Sequence, residues 1–151
     1  MDLSSLTLTQ LTVGGNVPGI SADVSGEQEM LTAVNINSNS GRINLDLTGN
    51  YSSLSTINSD TNSADITLDL TGSWEQNVAG SFRGGTGNDV TLILPKDVGV
   101  SVTVDSTNEV TADGFINNGD TYTNDVWGET AVSIQINITF QRGDVQLTLE
   151  N

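Results

Sequence analysis

The chain has 151 residues, four Lys and Arg against 19 Asp and Glu, a formal net charge of −15, no His and no Cys. Without Cys or His there is no disulfide framework, no Cys- or His-ligated metal and no Ser-His-Asp or Cys-His catalytic set, so carboxylate chemistry or binding remains. Negative charge on this scale repels phosphate backbones and anionic lipid headgroups, which excludes nucleic acid and anionic membranes as partners.

Thr, Ser, Asn and Gly supply 67 positions, whereas Ala, Lys, Glu and Gln together supply 19, a balance that excludes a helical bundle. No Pro-rich linker, charge block or change of composition divides residues 1–151, so a single domain is expected. The start, Met1-Asp2-Leu3-Ser4-Ser5, carries neither a basic nor an apolar targeting region. No run approaches the roughly 18 apolar residues of a membrane helix, so a soluble chain is expected, with any membrane tether in segments outside it.

In chain order, residues 1–33 show the least regular pattern and are expected to cap one end. Alternation of apolar and polar residues, the mark of half-buried strands, begins with Val34-Asn35-Ile36, a turn at Ser38 to Gly41 and the strand Ile43 to Leu47. It returns as Leu54 to Ile57, a turn at Ser59 to Asp65 and the strand Ile66 to Leu70, then as Phe82, a turn at Gly84 to Asp89 and the strand Val90 to Leu94. Val100 to Val104, the turn Ser106-Thr107-Asn108 and Val110 continue it. Residues 115–131 break the pattern and hold the tight-turn pair Asn118-Gly119, which reads as an inserted loop or hairpin. Ile134 to Phe140, the turn Gln141 to Asp144 and Val145 to Leu149 complete the 34–149 repeats.

Ile43-Asn44-Leu45-Asp46-Leu47-Thr48-Gly49 and Ile66-Thr67-Leu68-Asp69-Leu70-Thr71-Gly72 differ at one position and lie 23 residues apart, and Val90 follows Ile66 by 24. A fixed period of this size marks units that bury their apolar faces only by stacking. The expected fold is all-β, a short β-solenoid of stacked rungs with Leu, Ile and Val ladders inside. An antiparallel β-sandwich is the alternative. Stacking further predicts that Asp46 and Asp69 are neighbours on adjacent rungs, and that 145–149 lies near the end opposite 1–33 or folds back.

From about Leu31 to the end, the order of elements resembles the toast-rack family of bacterial β-solenoid domains, which includes adhesin-like surface proteins and the C-terminal domains of cell-wall-stress response proteins. Val34 to Gly49 is similar to the family's strand, turn and Leu-Asp-Leu-Thr-Gly strand, and Leu54 to Gly72 repeats it. Gly84 to Pro95 resembles its Gly-rich turn and strand ending in Leu-Pro. Val98 to Phe115 resembles its Gly-Val-x-Val-x-Val strand and closing Asp-Gly-Phe, and Ser133 to Leu149 its last two strands. Ser38-Asn39-Ser40 and Asp60-Thr61-Asn62 depart from it where glycines are usual, as does 1–33. The resemblance implies an extracytoplasmic domain, tethered through other segments, without catalytic residues.

Several groups are candidates for chemistry. Gly84-Gly85-Thr86-Gly87-Asn88-Asp89 matches the opening of a calcium-binding nonapeptide turn, which makes Gly85, Gly87 and Asp89 candidate calcium residues, although the copy is single and Thr91 stands at the motif's apolar position. Otherwise no cofactor is expected, and the plain reading is a glycine-rich corner. Asp60 to Asp65 and Asp120 to Asp125 bring oxygen ligands together without EF-hand spacing, and Asp and Asn in turns ordinarily cap backbone amides. Asp46 and Asp69 are the best-placed carboxylate pair for glycoside hydrolysis, but an exposed strand face lacks the pocket that raises an acid's pKa. Trp74, Tyr122 and Trp127, with Tyr51, have the chemistry of a sugar-stacking platform; Trp74 reads equally as a seal over the core. Arg42 and Arg142 stand at turns, where they neutralise nearby carboxylates.

These residues point to a non-enzymatic interaction module rather than a catalyst. Taken with the resemblance, the expectation is an adhesin-like domain at the bacterial cell surface or membrane-anchored envelope, with an envelope protein or cell-surface polymer as partner. The alternatives are a regulatory domain of a cell-wall-stress membrane protein and a carbohydrate-binding module.

Overall fold

A computed structural model describes residues 1–16, 18–105 and 108–151. Its strands are β1 (Gln10–Gly15), β2 (Gly19–Asp23), β3 (Ala33–Asp46), β4 (Asn50–Tyr51), β5 (Thr56–Asp69), β6 (Ser73–Trp74), β7 (Val78–Thr86) and β8 (Val90–Pro95). They continue as β9 (Gly99–Val104), β10 (Glu109–Ala112), β11 (Ile116–Asn118), β12 (Thr121–Thr123), β13 (Ser133–Arg142) and β14 (Asp144–Glu150). The fold is all-β, and among the described residues there is no helix.

Strands pair in parallel, rung on rung, with the register set by the repeat. Ile20 lies beside Ile43, Ile43 beside Ile66 and Ile66 beside Val90. Parallel pairing excludes the antiparallel sandwich; the antiparallel pairs of the main sheet are β11 with β12 and β12 with β9. The regular register also reaches into the stretch expected to be irregular. β1 and β2 form a full rung against β3, with Leu11 beside Val34 and Ala22 beside Leu45, again 23 residues apart.

Spatial order departs from chain order at the far end. The chain leaves β8 at Pro95 and begins β9 at Gly99, yet β9 does not pair with β7, nor β10 with β8. The last rung, β13 and β14, lies between them: β13 pairs with β7 on one side and β9 on the other, and β14 with β8 and β10. The 115–131 insert supplies the β11–β12 hairpin, which continues the sheet beyond β9. Ser106 and Thr107 of the expected turn lie outside the described residues.

Core columns follow from the register. Ile20, Ile43, Ile66, Val90, Val145 and Val110 stack in one column, and Ala22, Leu45, Leu68, Leu92, Leu147 and Ala112 in the next, so the small residues close the column at both ends. Neighbouring rungs also match large side chains to small ones. Phe82 lies beside Ser59, and Ile136 occupies the space a side chain on Gly80 would need, 2.8 Å from its Cβ position. Such interdigitation is what dense apolar packing requires.

Candidate functional site: an anionic strand face

Residues 38–41 and 59–65, expected as turns, run within the continuous strands β3 and β5, because each keeps its parallel partner through the bend. Charge is divided unevenly between the strand halves on either side of residues 38–41 and their equivalents. On the first face the outward positions in register are largely uncharged: Thr12, Asn35, Asn58, Ser81, Asn137 and Thr103 form one column. Asn58 Nδ2 donates to Asn35 Oδ1 at 3.3 Å, and Asn62 repeats this to Asn39 at 3.3 Å. Asp60 on this face lies beside Arg83.

The second face is anionic. One column runs Arg42, Asp65, Asp89, Asp144 and Glu109. A second runs Asp2, Asp23, Asp46 and Asp69. Rungs lie about 4.8 Å apart, so like charges recur at close spacing and the face carries a strong negative field. Where Asp89, Glu109 and Asp144 meet, the surface forms a concavity of about 340 Å³, with Thr91, Thr111 and Gln146 beside them. Asp89 accepts the Asp144 amide at 3.1 Å, which ties one carboxylate to the next strand.

The second column is built by a repeated local turn. Asp46 Oδ1 accepts from the Thr48 amide at 3.1 Å and its hydroxyl at 2.6 Å, and Asp69 does the same with Thr71 at 3.1 and 2.7 Å. Asp23 caps the Ser25 amide and Asp2 the Ser4 amide and hydroxyl. Those bonds hold the Asp2 carboxyl below the usual carboxylate range. Asp46 and Asp69 are thus neighbours in register, as the repeat requires, and each orders its own turn.

The Gly-rich turn holds Asn88 rather than an open oxygen cage. Asn88 is completely buried. Its Oδ1 accepts from Thr61 Oγ1 at 2.8 Å and the Ala64 amide at 2.9 Å, and its Nδ2 donates to the carbonyls of Asn62 at 3.2 Å and Gly85 at 3.0 Å. Carbonyl oxygens that an ion between turns would use therefore face an amide donor. Gly87 takes a positive φ of 76° at the corner, and among the described residues no group of three or more Asp or Glu is placed to hold a metal ion.

The aromatic candidates are not brought together. Trp74 is 8% exposed and stacks on buried Tyr51, with its indole N–H on the Leu70 carbonyl at 3.0 Å. This corrects its reading as part of a sugar platform: both its face and its polar edge are occupied by the protein. Tyr122, on β12, is partly buried against the core, and Trp127 is 37% exposed in the turn after β12. Tyr122 belongs to the end hairpin and Trp127 to the turn that follows it, whereas Trp74 belongs to the β4–β6 corner between two middle rungs. Arg42 lies beside Asp65, while Arg142 is exposed at the end of β13.

Two clamps escaped the sequence reading. Asn88 is one, and Asn124, 3% exposed, is the other: its Oδ1 accepts the Val100 amide at 2.9 Å and its Nδ2 donates to the Val98 carbonyl at 2.7 Å. A signal for both was present, since each opens the tripeptide Asn-Asp-Val, at 88–90 and 124–126.

No family model matches the chain, and no curated protein matches it. Among solved structures it is similar to the crystal structure of "a putative cell adhesion protein" from Clostridium sporogenes, at 25% sequence identity and a TM-score of 0.71. The similarity covers 87% of this chain and 57% of that one, so the chain spans little more than half the length of its structural neighbour.

Proposed function

We propose that this chain is a non-enzymatic, adhesin-like interaction module of the bacterial cell surface, and that its anionic strand face is the binding surface. The observation that carries the reading is the structural similarity to a protein named for cell adhesion across 87% of the chain. The charge distribution supports it, because carboxylate columns on a rigid parallel sheet suit a partner bearing regularly spaced cationic groups, on an envelope protein or a cell-surface polymer. We further place the chain in the toast-rack family and in an extracytoplasmic setting, on the strength of the strand motifs from Val34 to Leu149. Membrane attachment then belongs to other segments of the parent protein.

The test is binding of the labelled chain to intact bacterial cells and isolated walls, beside a variant carrying Asp65→Asn, Asp89→Asn, Asp144→Asn and Glu109→Gln. Binding should fall about tenfold or more in the variant and weaken with salt. Binding indifferent to both would remove the anionic face from the proposal. Turnover of a wall glycan by the intact chain would remove the non-enzymatic reading. A second surface is favoured by the exposure of Ile116 at 56% in the end hairpin and of Trp127 at 37% in the turn that follows it. Retained binding that Trp127→Ala abolishes would assign recognition there.

A further inference from the structure

The two ends of the stack are finished differently. Beyond β9 the sheet is continued by β12 and β11, whose turn and flanks carry Asp113, Asp120 and Asp125. At the opposite end the chain covers only half of the terminal rung. Residues 1–3 cover β2: the terminal amine donates to the Ser21 carbonyl at 2.7 Å, the Asp23 amide to Met1 at 2.8 Å and the Leu3 amide to Asp23 at 2.7 Å. β1 receives no such cover, and among the described residues it pairs with β3 alone.

The bare edge has a defined polarity. Thr32 N donates to the Thr9 carbonyl at 3.0 Å, and two interfaces further on, between β5 and β7, Ala79 N donates to Ser55 at 2.9 Å. Strand alternation then turns the backbone groups of Leu11 and Val13 toward β3 and leaves the N–H and C=O of Gln10, Thr12 and Gly14 facing outward. The Leu11 and Val13 side chains point into the core at 8% and 5% exposure. Beside this edge the core opens in a mainly apolar pocket of about 580 Å³, with Leu3, Leu8, Leu11, Val13 and Ile20 in its wall.

Charge identifies the occupant. The chain carries a net −15, yet residues 3–22 contain no Asp, Glu, Lys or Arg. The anionic face of two copies would meet with carboxylates opposed; the β1 half of this end carries none, Asp2 and Asp23 lying on the β2 half. An exposed strand edge beside open apolar core is also a template for pairing. We propose that β1 is the docking edge for a second copy of this chain, giving a two-fold, end-to-end dimer.

Symmetry fixes the register. A two-fold axis makes the two β1 strands antiparallel. Apolar side chains stay on the core side in the register that sets Leu11 of each copy opposite Val13 of the other, the one that overlaps the two strands most fully and puts Thr12 opposite Thr12. Thr12 is also an outward-facing backbone position, so the two Thr12 residues exchange both N–H to C=O bonds, and Gln10 pairs with Gly14 on either side. Side-chain direction and hydrogen-bond direction are both satisfied in this register.

The test uses the full chain in sedimentation velocity over a concentration series, at about 0.05 and about 0.5 M salt. A monomer–dimer equilibrium that tightens with salt is expected, because screening relieves repulsion between two copies of like charge. Thr12→Glu, at an exposed position, sets like charges opposite one another and should weaken the dimer about tenfold or more, with an unchanged melting temperature at concentrations where the parent chain is monomeric. The chain has no native Cys, so Thr12→Cys should give a covalent dimer on oxidation, and Thr67→Cys, in the middle of the anionic face, should not. A chain that stays monomeric at every concentration with no Thr12→Cys link overturns the proposal. So does a dimer indifferent to Thr12→Glu, or one cross-linked instead through Ile116→Cys at the opposite end. None of these readouts depends on adhesion to cells.

Discussion

Tyr51 and Trp74 lie ring on ring, centroids 4.8 Å apart and planes 20° apart, at the corner where β4 pairs with β6. The Tyr51 hydroxyl donates to the Val24 carbonyl at 2.6 Å, one rung away, and the Trp74 indole N–H to Leu70. Each ring therefore buries its apolar body while its polar atom is satisfied. Trp74→Ala should cost about 3–5 kcal/mol in chemical denaturation, whereas Trp127→Ala, in the turn after β12, should stay within about 0.5 kcal/mol. Equal effects would show that the corner stack contributes no more than the surface.

Stability should fall on the alkaline side through the same corner. Burial pushes the Tyr51 phenol well above its ordinary range, helped by the Asp46 and Asp23 charges and only partly offset by the Gly49 amide. A phenol whose folded pKa exceeds its unfolded value gives stability that is intact below about pH 10 and is lost as pH rises toward the folded value. Unfolding midpoints measured from pH about 8 to about 11 should therefore drop, and Tyr51→Phe should flatten that drop at the cost of the Val24 hydrogen bond, about 1 kcal/mol. A slope unchanged in the variant would assign the loss to other groups.

Asn88 ties its own turn to β5 through four hydrogen bonds, so truncating it should be out of proportion to its size. Asn88→Ala leaves the Ala64 amide and the Asn62 and Gly85 carbonyls without their partner. The expected cost is about 3 kcal/mol, a fall in melting temperature of roughly 6–12 °C for a chain of this length. Asn88→Asp should not rescue it, because a carboxylate has nothing to donate to the two carbonyls. Rescue by Asp would show that only the acceptor side of Asn88 matters.

Gly49 and Gly72 mark a corner where successive rungs touch backbone to backbone. A Cβ on Gly49 would lie 2.2 Å from the Gly26 carbonyl oxygen, and one on Gly72 2.5 Å from that of Gly49. Gly49→Ala should destabilise by about 1–3 kcal/mol or more, since a backbone neighbour cannot swing aside. Gly119→Ala, at a φ of +69° with open space around it, should cost only backbone strain of about 1 kcal/mol. Thermal melts of the two variants should separate clearly; coincident melts would mean that the rungs shift apart freely.

The candidate site was partly legible. Asp46 beside Asp69 followed from two near-identical segments, because equivalent rungs place equivalent residues in equivalent surroundings. The joining of Asp89 to Asp144 and Glu109 did not follow, since 55 residues separate Asp89 from Asp144 and no repeat links them. Trp74 illustrates a different limit. An aromatic after a strand-ending Thr71-Gly72-Ser73 has the same sequence signature whether it seals the corner or faces solvent, and only the presence of Tyr51 one rung away decides it.

The sequence by itself determined that this chain is all-β, where apolar alternation marks strands from Val34 onward, which of their side chains face inward, and the 23-residue offset that stacks β3 on β5. Those features are local or strictly periodic, so alternation and repetition carry them; the rung formed by β1 and β2 was not legible in residues 1–33. Tertiary structure alone decided that the last rung enters between β7–β8 and β9–β10. Val100 to Val104 and Ile134 to Ile138 have the same apolar alternation, and either satisfies the core column that β7 leaves open. What distinguishes them is remote packing: Ile136 filling the space at Gly80, the Asp144 amide on Asp89, and Asn124 clamping the start of β9. The same physics leaves the β1 edge bare, because a strand pattern records which face is buried and not whether a neighbour lies along its edge.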